Sequence, residues 1–261
     1  MGKLTDLDKQ KIFIQMENVK VEDKQTVSGI VRSDYRTADV FRKHGINYCC
    51  SGEVSLQEAC ELRNIDYLEV AQELAEATRS IRLPNSLQFS SWKLDFLADY
   101  ITNVHHAYLY SSLTNLELRI ETFVNGHQKK YPALVELQET FVELARVLVP
   151  HCKQEDEIVF PYIKQIEAAY RRKEPYGNLF VRTLRKPLSC VTGIHDEISE
   201  LLQELRINAN QFNYPDKACT NHQVIYHMLR EFHDDLIQHM HLENNILYLQ
   251  ARKIEQELLN N

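Results

Sequence analysis

Apolar residues recur every three or four positions over four long stretches of this chain, a period typical of helices with one buried face. The stretches run over about 91–125, 132–172, 184–208 and 218–259, and the segments between them contain Gly or Pro. In the first stretch, one apolar stripe is formed by Leu94, Leu97, Ile101 and Tyr108. No strand-like alternation of any length appears. The pattern therefore predicts an all-α fold whose main part is an up-down four-helix bundle.

Shorter helical segments precede the bundle and predict a separate small domain. Ser55 and Glu58 form a capping-box pair that opens one of these helices. Pro84 and Asn85 then interrupt the periodicity. We predict three parts: an N-terminal extension over residues 1–26, a small helical domain over 27–85, and the bundle over 86–261.

Composition excludes several functional classes. The net charge of −7 argues against nonspecific binding to nucleic acid or to an anionic membrane. No apolar run is long enough for a transmembrane helix, and the first residues lack the pattern of a signal peptide. Six cysteines in 261 residues are too few for a disulfide scaffold. We expect a cytoplasmic protein.

Four histidines are almost evenly spaced, with gaps of 45, 44 and 44 residues: His106, His151, His195 and His239. Two of them are followed four positions later by a carboxylate, Glu155 and Glu243. Residues four apart project from the same face of a helix, so each pair can offer a nitrogen and an oxygen to one metal. The spacing places one histidine on each bundle helix, and bundle cores are where carboxylate-bridged metal pairs are built.

These six side chains predict a two-metal centre with three protein ligands per ion. Imidazole and carboxylate suit iron, manganese or zinc, and analogy with other bundles favours iron. Bridging carboxylates and a bridging oxygen would complete each shell. The alternative for the His–Glu pairs, a solvated pair or a pair that only supports the ligands from behind, is disfavoured because apolar helix follows both. The periodicity leaves His105 and His106 open, since His105 lies on the more apolar face and His106 on a more polar one.

Four segments of the sequence resemble one known family, the iron–sulfur cluster repair di-iron proteins of the ScdA/YtfE type. The first is Phe41-Arg-Lys-His-Gly-Ile-Asn-Tyr-Cys49-Cys50-Ser-Gly, and the second runs from His151 through Glu155 to Phe160-Pro161. The third is His195-Asp-Glu-Ile-Ser-Glu-Leu-Leu, and the fourth is His239-Met-His-Leu-Glu243-Asn-Asn-Ile-Leu. The segments occur in the family's order over roughly residues 27 to 252.

This resemblance implies a hemerythrin-like bundle with a non-haem di-iron centre, oxo- and carboxylate-bridged, and it selects His106 as the ligand of the first helix. It also implies repair of iron–sulfur clusters damaged by oxidative or nitrosative stress, by donation of iron and without enzymatic turnover. The expected partners are damaged iron–sulfur proteins, and a homodimer is one expected assembly. The alternatives are a hemerythrin-like module that binds or senses oxygen or nitric oxide, and a di-iron nitric oxide reductase.

The sequence departs from the family pattern at two places. Leu113-Thr114 stands where Leu-Pro is frequent, and Leu247-Tyr248-Leu249 stands where Leu-Phe-Pro is usual. We expect neither departure to touch a ligand. Cys49 and Cys50 form a second candidate site, because adjacent cysteines bridge each other only with strain and two thiolates on a turn could relay iron or carry a redox change. The alternative is that one of them is a buried structural cysteine.

Overall fold

A computed structural model describes residues 25–49, 52–78, 87–174, 177, 181, 182, 188 and 192–260. Most of the predicted extension over residues 1–26 lies outside these residues, as does Cys50. Among the described residues, β pairing is confined to one isolated bridge between Thr26 and Ser55. Contacts divide the chain into two compact units. The first joins Met1–Pro84 with Tyr214–Met228, and the second joins Asn85–Asn213 with Leu229–Asn261.

The first unit is built from short helices: α1 (Val27–Ser33), α2 (Thr37–Lys43), α3 (Leu56–Arg63) and α4 (Tyr67–Ala77). The predicted capping box at Ser55 and Glu58 is confirmed, with the serine hydroxyl accepting from the Glu58 N–H and the glutamate accepting from the Ser55 N–H. Ile30, Phe41 and Leu74 are completely buried and form the centre of this core.

Tyr214–Met228 belongs to the first unit although it lies far along the chain. Val224 is buried in the same apolar core as the short helices. The Tyr48 hydroxyl donates to Asn221 Oδ1 at 3.3 Å, and the Tyr35 ring stacks on His227 at 5.4 Å. The bundle predicted over 86–261 includes this segment, so the contact-based division differs from the predicted limits here.

The second unit holds four long helices, apart from residues 220–228 of the fourth, and three of the helices contain one π-helical turn. The first helix comprises α5 (Leu94–Tyr100), π1 (Ile101–His106) and α6 (Ala107–His127). The second comprises α7 (Leu134–Gln154), π2 (Glu155–Val159) and α8 (Phe160–Arg172). The third is α9 (Thr192–Asn208). The fourth comprises α10 (Thr220–Leu242), π3 (Glu243–Leu247) and α11 (Tyr248–Asn260).

This architecture is the predicted all-α, hemerythrin-like four-helix bundle preceded by a small helical region. One apolar layer of the bundle includes Leu97, Ile163 and Ile166, all completely buried. Elsewhere in its core, the Phe141 and Phe232 rings pack at 5.5 Å. No helix within the described ranges has both the length and the apolar character needed to cross a bilayer.

A distant carboxylate caps the start of α5. The residue before this helix, Lys93, has no capping hydrogen bond from its side chain. Instead, the two oxygens of Glu167 accept from the backbone N–H groups of Leu94, at 3.2 Å, and Asp95, at 2.7 Å. Arg171 pairs with the same carboxylate at 2.7 Å. Glu167 therefore joins α8 to the N-terminus of α5, where helix N–H groups have no partner within the helix.

Each π turn adjoins a predicted ligand. His106 ends π1, Glu155 begins π2 and Glu243 begins π3. At π2 the Phe160 N–H reaches back five residues to the Glu155 carbonyl, and Pro161 follows with no N–H to donate. Such turns insert one extra residue into an α-helix and occur frequently at functional sites.

Candidate metal centre

The six side chains predicted as metal ligands come together in the core of the second unit. All six are buried: His106, His151, Glu155, His195, His239 and Glu243. They form two overlapping groups that could each hold one metal ion, and both glutamates belong to both groups. The helical spacing therefore identified side chains that the fold places together.

The first pocket contains His106 and His239. Their Nε2 atoms lie 3.0 Å apart. His239 Nε2 is 2.8 Å from Glu243 Oε1, and His106 Nε2 is 3.6 Å from Glu155 Oε2. Two nitrogens and one oxygen from each carboxylate thus face one small volume.

The second pocket contains His151 and His195, with their Nε2 atoms 2.8 Å apart. Glu155 Oε1 is 3.2 Å from His151 Nε2 and 3.5 Å from His195 Nε2. Glu243 Oε2 lies 3.5 Å from His195 Nε2. Each carboxylate therefore turns one oxygen to each pocket, which is the arrangement needed to bridge two ions.

The donors fit a pair of divalent or trivalent cations. Two imidazole nitrogens bound at right angles to one ion, each at about 2.1 Å, lie about 3.0 Å apart, close to the spacing in both pockets. Glu155 Oε2 and Glu243 Oε2 are buried and accept no hydrogen bond from the described residues. Burial, and then the neighbouring Glu243 charge, raise the pKa of Glu155. Bound cations would compensate these buried carboxylates, which are otherwise costly.

The structure places His106, and not its neighbour His105, in the first pocket. Both imidazoles are buried. His105 Nδ1 pairs with Asp235 Oδ1 at 3.0 Å, outside both groups of candidate ligands. Periodicity did not separate the two histidines. The family motif selected His106, and His106 is the one whose imidazole lies in the first pocket.

The residues after the two glutamates orient two of the histidines. His106 Nδ1 lies 2.8 Å from Asp156 Oδ1, and His195 Nδ1 lies 2.7 Å from Asn244 Oδ1. Burial opposes protonation of His106, but the hydrogen bond to Asp156 and contacts with other neighbouring groups together outweigh it, and the pKa of His106 is raised. Sequence reasoning missed both partners, although each directly follows a predicted ligand carboxylate.

Tyr248 corrects one expectation from the sequence. Its buried hydroxyl donates a hydrogen bond to Glu155 Oε1. The expectation that neither departure from the family pattern touches a ligand is therefore wrong for Tyr248. Thr114, the other departure, is exposed. The contact was hidden because 93 residues separate the hydroxyl from the carboxylate.

Cys49, one of the two predicted relay cysteines, belongs to the first unit. Cys49 is half-buried, and its backbone N–H donates to Asn47 Oδ1 at 2.9 Å. Cys50 lies outside the described residues. The six gathered ligand candidates all belong to the second unit.

Two family models match this chain. The model described as the hemerythrin HHE cation binding domain matches residues 97–251. A second, ScdA_N, described as a domain of unknown function (DUF542), matches residues 23–78. The first match covers more than half of the chain, so the chain belongs to the hemerythrin HHE cation-binding family.

Two relatives match most of the length of this chain. The chain is 25% identical over 232 residues to the iron–sulfur cluster repair protein ScdA of Staphylococcus haemolyticus (strain JCSC1435), covering 87% of this chain and 98% of that protein. It is 29% identical over 227 residues to the iron–sulfur cluster repair protein YtfE of Escherichia coli O157:H7, covering 87% of this chain and 96% of that protein. These similarities confirm the resemblance carried by the four motifs.

Proposed function

We propose that this protein repairs iron–sulfur clusters damaged by oxidative or nitrosative stress, acting from a di-iron centre that donates iron. The observation that supports this proposal best is the pair of pockets sharing two buried carboxylates, Glu155 and Glu243. His106 and His239 would hold one ion, and His151 and His195 the other. Two relatives that match most of this chain are named iron–sulfur cluster repair proteins, which supports the proposed role.

Two lines of support favour iron as the metal: the chemistry of the donor atoms and the names of the relatives. Imidazole nitrogen and carboxylate oxygen are ligands that iron accepts. When bound, the metal pair would supply exchangeable iron. The protein's own part is to position six donors, to exclude water by burial and to compensate the charge of the ions with the two glutamates.

A donor must deliver iron to a recipient, and the proposed recipients are damaged iron–sulfur proteins in the cytoplasm. The first unit supplies Cys49, and the sequence supplies Cys50 beside it. Thiolates are soft ligands for iron, so a pair of adjacent cysteines could receive iron or engage the client. In this proposal the bundle stores iron, the N-terminal domain over residues 27–85 directs it, and no substrate is turned over.

The test measures the iron content of the protein and the transfer of that iron to a damaged iron–sulfur enzyme. Purified, iron-loaded protein should contain close to two irons per chain by elemental analysis. Incubated with an iron–sulfur enzyme whose cluster has been damaged, it should restore that enzyme's activity and lose iron. A His151→Ala, His239→Ala variant, which removes one imidazole from each pocket, is the matched control and should restore nothing. A chain that holds one metal, or that consumes nitric oxide without restoring the cluster, would overturn the proposal.

A further inference from the structure

The two pockets have matched ligands but different outer contacts. Each offers two imidazole nitrogens and one oxygen from each shared glutamate. One histidine in each pocket, His239 in the first and His151 in the second, has an Nδ1 atom with no hydrogen-bond partner among the described residues. Among the hydrogen bonds behind the ligands, the pockets differ at Glu155, His106 and His195.

Tyr248 acts on one pocket only. Its hydroxyl donates to Glu155 Oε1, the oxygen that faces His151 and His195. The other oxygen, Oε2, faces His106 and accepts no hydrogen bond within the described part of the chain. A donated hydrogen bond draws electron density from the oxygen that receives it. Glu155 is thus the weaker metal ligand on the side of the second pocket.

The hydrogen-bond partners of the two histidines also favour weaker metal binding in the second pocket. His106 of the first pocket contacts the carboxylate of Asp156, whereas His195 of the second contacts the neutral amide of Asn244. A carboxylate behind an imidazole raises its basicity and strengthens its bond to metal more than an amide does. This second, independent contact also makes the pocket of His151 and His195 the weaker one.

We propose that the two positions hold iron unequally, and that the ion bound by His151 and His195 is the one the protein gives up. This inference deepens the proposed iron-donor function and rests on it. Tyr248 is then a positioning residue that acts through Glu155 to set the rate of release. The ion retained by His106 and His239 would continue to compensate the two buried carboxylates after the first has left.

The experiment mixes fully loaded, full-length protein with an excess of a ferrous chelator under reducing, anaerobic conditions and follows the colour of the chelated iron. Half of the iron should leave at least about 10-fold faster than the other half, the scale on which outer contacts change metal affinity. Tyr248→Phe should slow the fast half and leave the slow half unchanged. Asn244→Asp, which places a carboxylate behind His195, should also slow the fast half.

The matched control is Tyr162→Phe, because Tyr162 is also buried and its hydroxyl also contacts a glutamate, Glu255, outside both candidate metal pockets. It should change neither half. Crystals grown with one equivalent of iron should show anomalous density between His106 and His239. Release in a single phase, density in the other pocket, or unaltered kinetics in both Tyr248→Phe and Asn244→Asp would overturn the inference.

The chelator assay contains no client protein, so its outcome is separate from that of the cluster-repair assay. Unequal release without cluster repair would contradict the proposed function. Repair together with equal release of both ions would contradict only the unequal pockets.

Discussion

His106 and Asp156 lie 50 residues apart in sequence, yet Nδ1 and Oδ1 of the two side chains are 2.8 Å apart. Two hydroxyls hold the same carboxylate, Thr102 Oγ1 at 2.7 Å and the Tyr110 OH at 3.2 Å. The carboxylate thus fixes the ring of one candidate ligand and keeps its Nε2 directed at the first pocket.

Asp156→Asn should lower iron affinity about 10-fold, because the amide keeps the shape of the side chain but loses the charge that supports the imidazole. Competition with a chelator of known affinity measures the change. Asp234→Asn, at an exposed position of α10, is the control and should leave the affinity unaltered. Equal affinities for Asp156→Asn and the unmodified chain would refute the supporting role.

Glu155→Gln and Glu243→Gln should each weaken metal binding by about 10-fold or more, with the scale for outer contacts as a lower bound. Each glutamate turns one oxygen to each pocket, so either change affects both ions. Elemental analysis should find clearly fewer than two irons per chain. Full iron occupancy and an unaltered electronic spectrum in both variants would count against the bridging role.

Iron affinity should fall as the solution is acidified from about pH 8 to about pH 6, the range in which histidines titrate. Burial is the largest single effect and opposes protonation of His106 and His195. Hydrogen bonds and nearby negative charges, led by Asp156 for His106 and by Glu155 for His195, together outweigh it, so both pKa values are raised. The proton therefore competes with metal up to a higher pH than at an ordinary histidine. Affinity should accordingly keep increasing above pH 7. A flat affinity profile between these limits would contradict the prediction.

Glu167→Gln should lower the free energy of unfolding by about 1–2 kcal/mol, the usual cost of losing a helix cap or a charged hydrogen bond. The charge of Glu167 supports two backbone N–H groups at the start of α5 as well as Arg171. Urea unfolding of the metal-free protein measures the loss. Glu174→Gln, at an exposed position beyond α8, should change stability by less than about 0.5 kcal/mol.

Cys49→Ser combined with Cys50→Ser should leave about two irons bound but abolish cluster repair, because the thiols are removed while the six bundle ligands remain. A chain starting near residue 86 should likewise bind about two irons but lack cluster-repair activity, if the bundle folds alone. That truncation also removes the helices whose core buries Val224, so the double serine variant is the sharper test. Full repair activity in both would show that the N-terminal domain does not relay iron.

Much of the fold and the site followed from local pattern. Helical periodicity defined the four long helices, and the spacing of the histidines selected residues that converge. The pattern could not separate His105 from His106, because both side chains are buried while only one faces a pocket. An apolar stripe indicates that a helix face is buried, but it does not indicate which side chains pack against that face.

Contacts between distant segments could not be predicted in this way. Tyr248 contacts Glu155 although 93 residues separate them in sequence. Tyr248 is the first residue of α11, and the periodicity of that helix does not indicate that its hydroxyl contacts a candidate ligand. In the same way, α10 reads as one continuous helix, yet residues up to Met228 belong to the first unit and those from Leu229 to the second.

The π turns make the metal centre depend on residue count as well as residue identity. One residue corresponds to a rotation of about 100° around an α-helix. Deleting a single codon among residues 156–159 of π2 would keep all six candidate ligands in the sequence, yet would turn α8 and carry Ile163 and Ile166 out of the core. When homologous genes are aligned, a one-residue gap at any of these turns should therefore be weighed as heavily as the loss of a ligand.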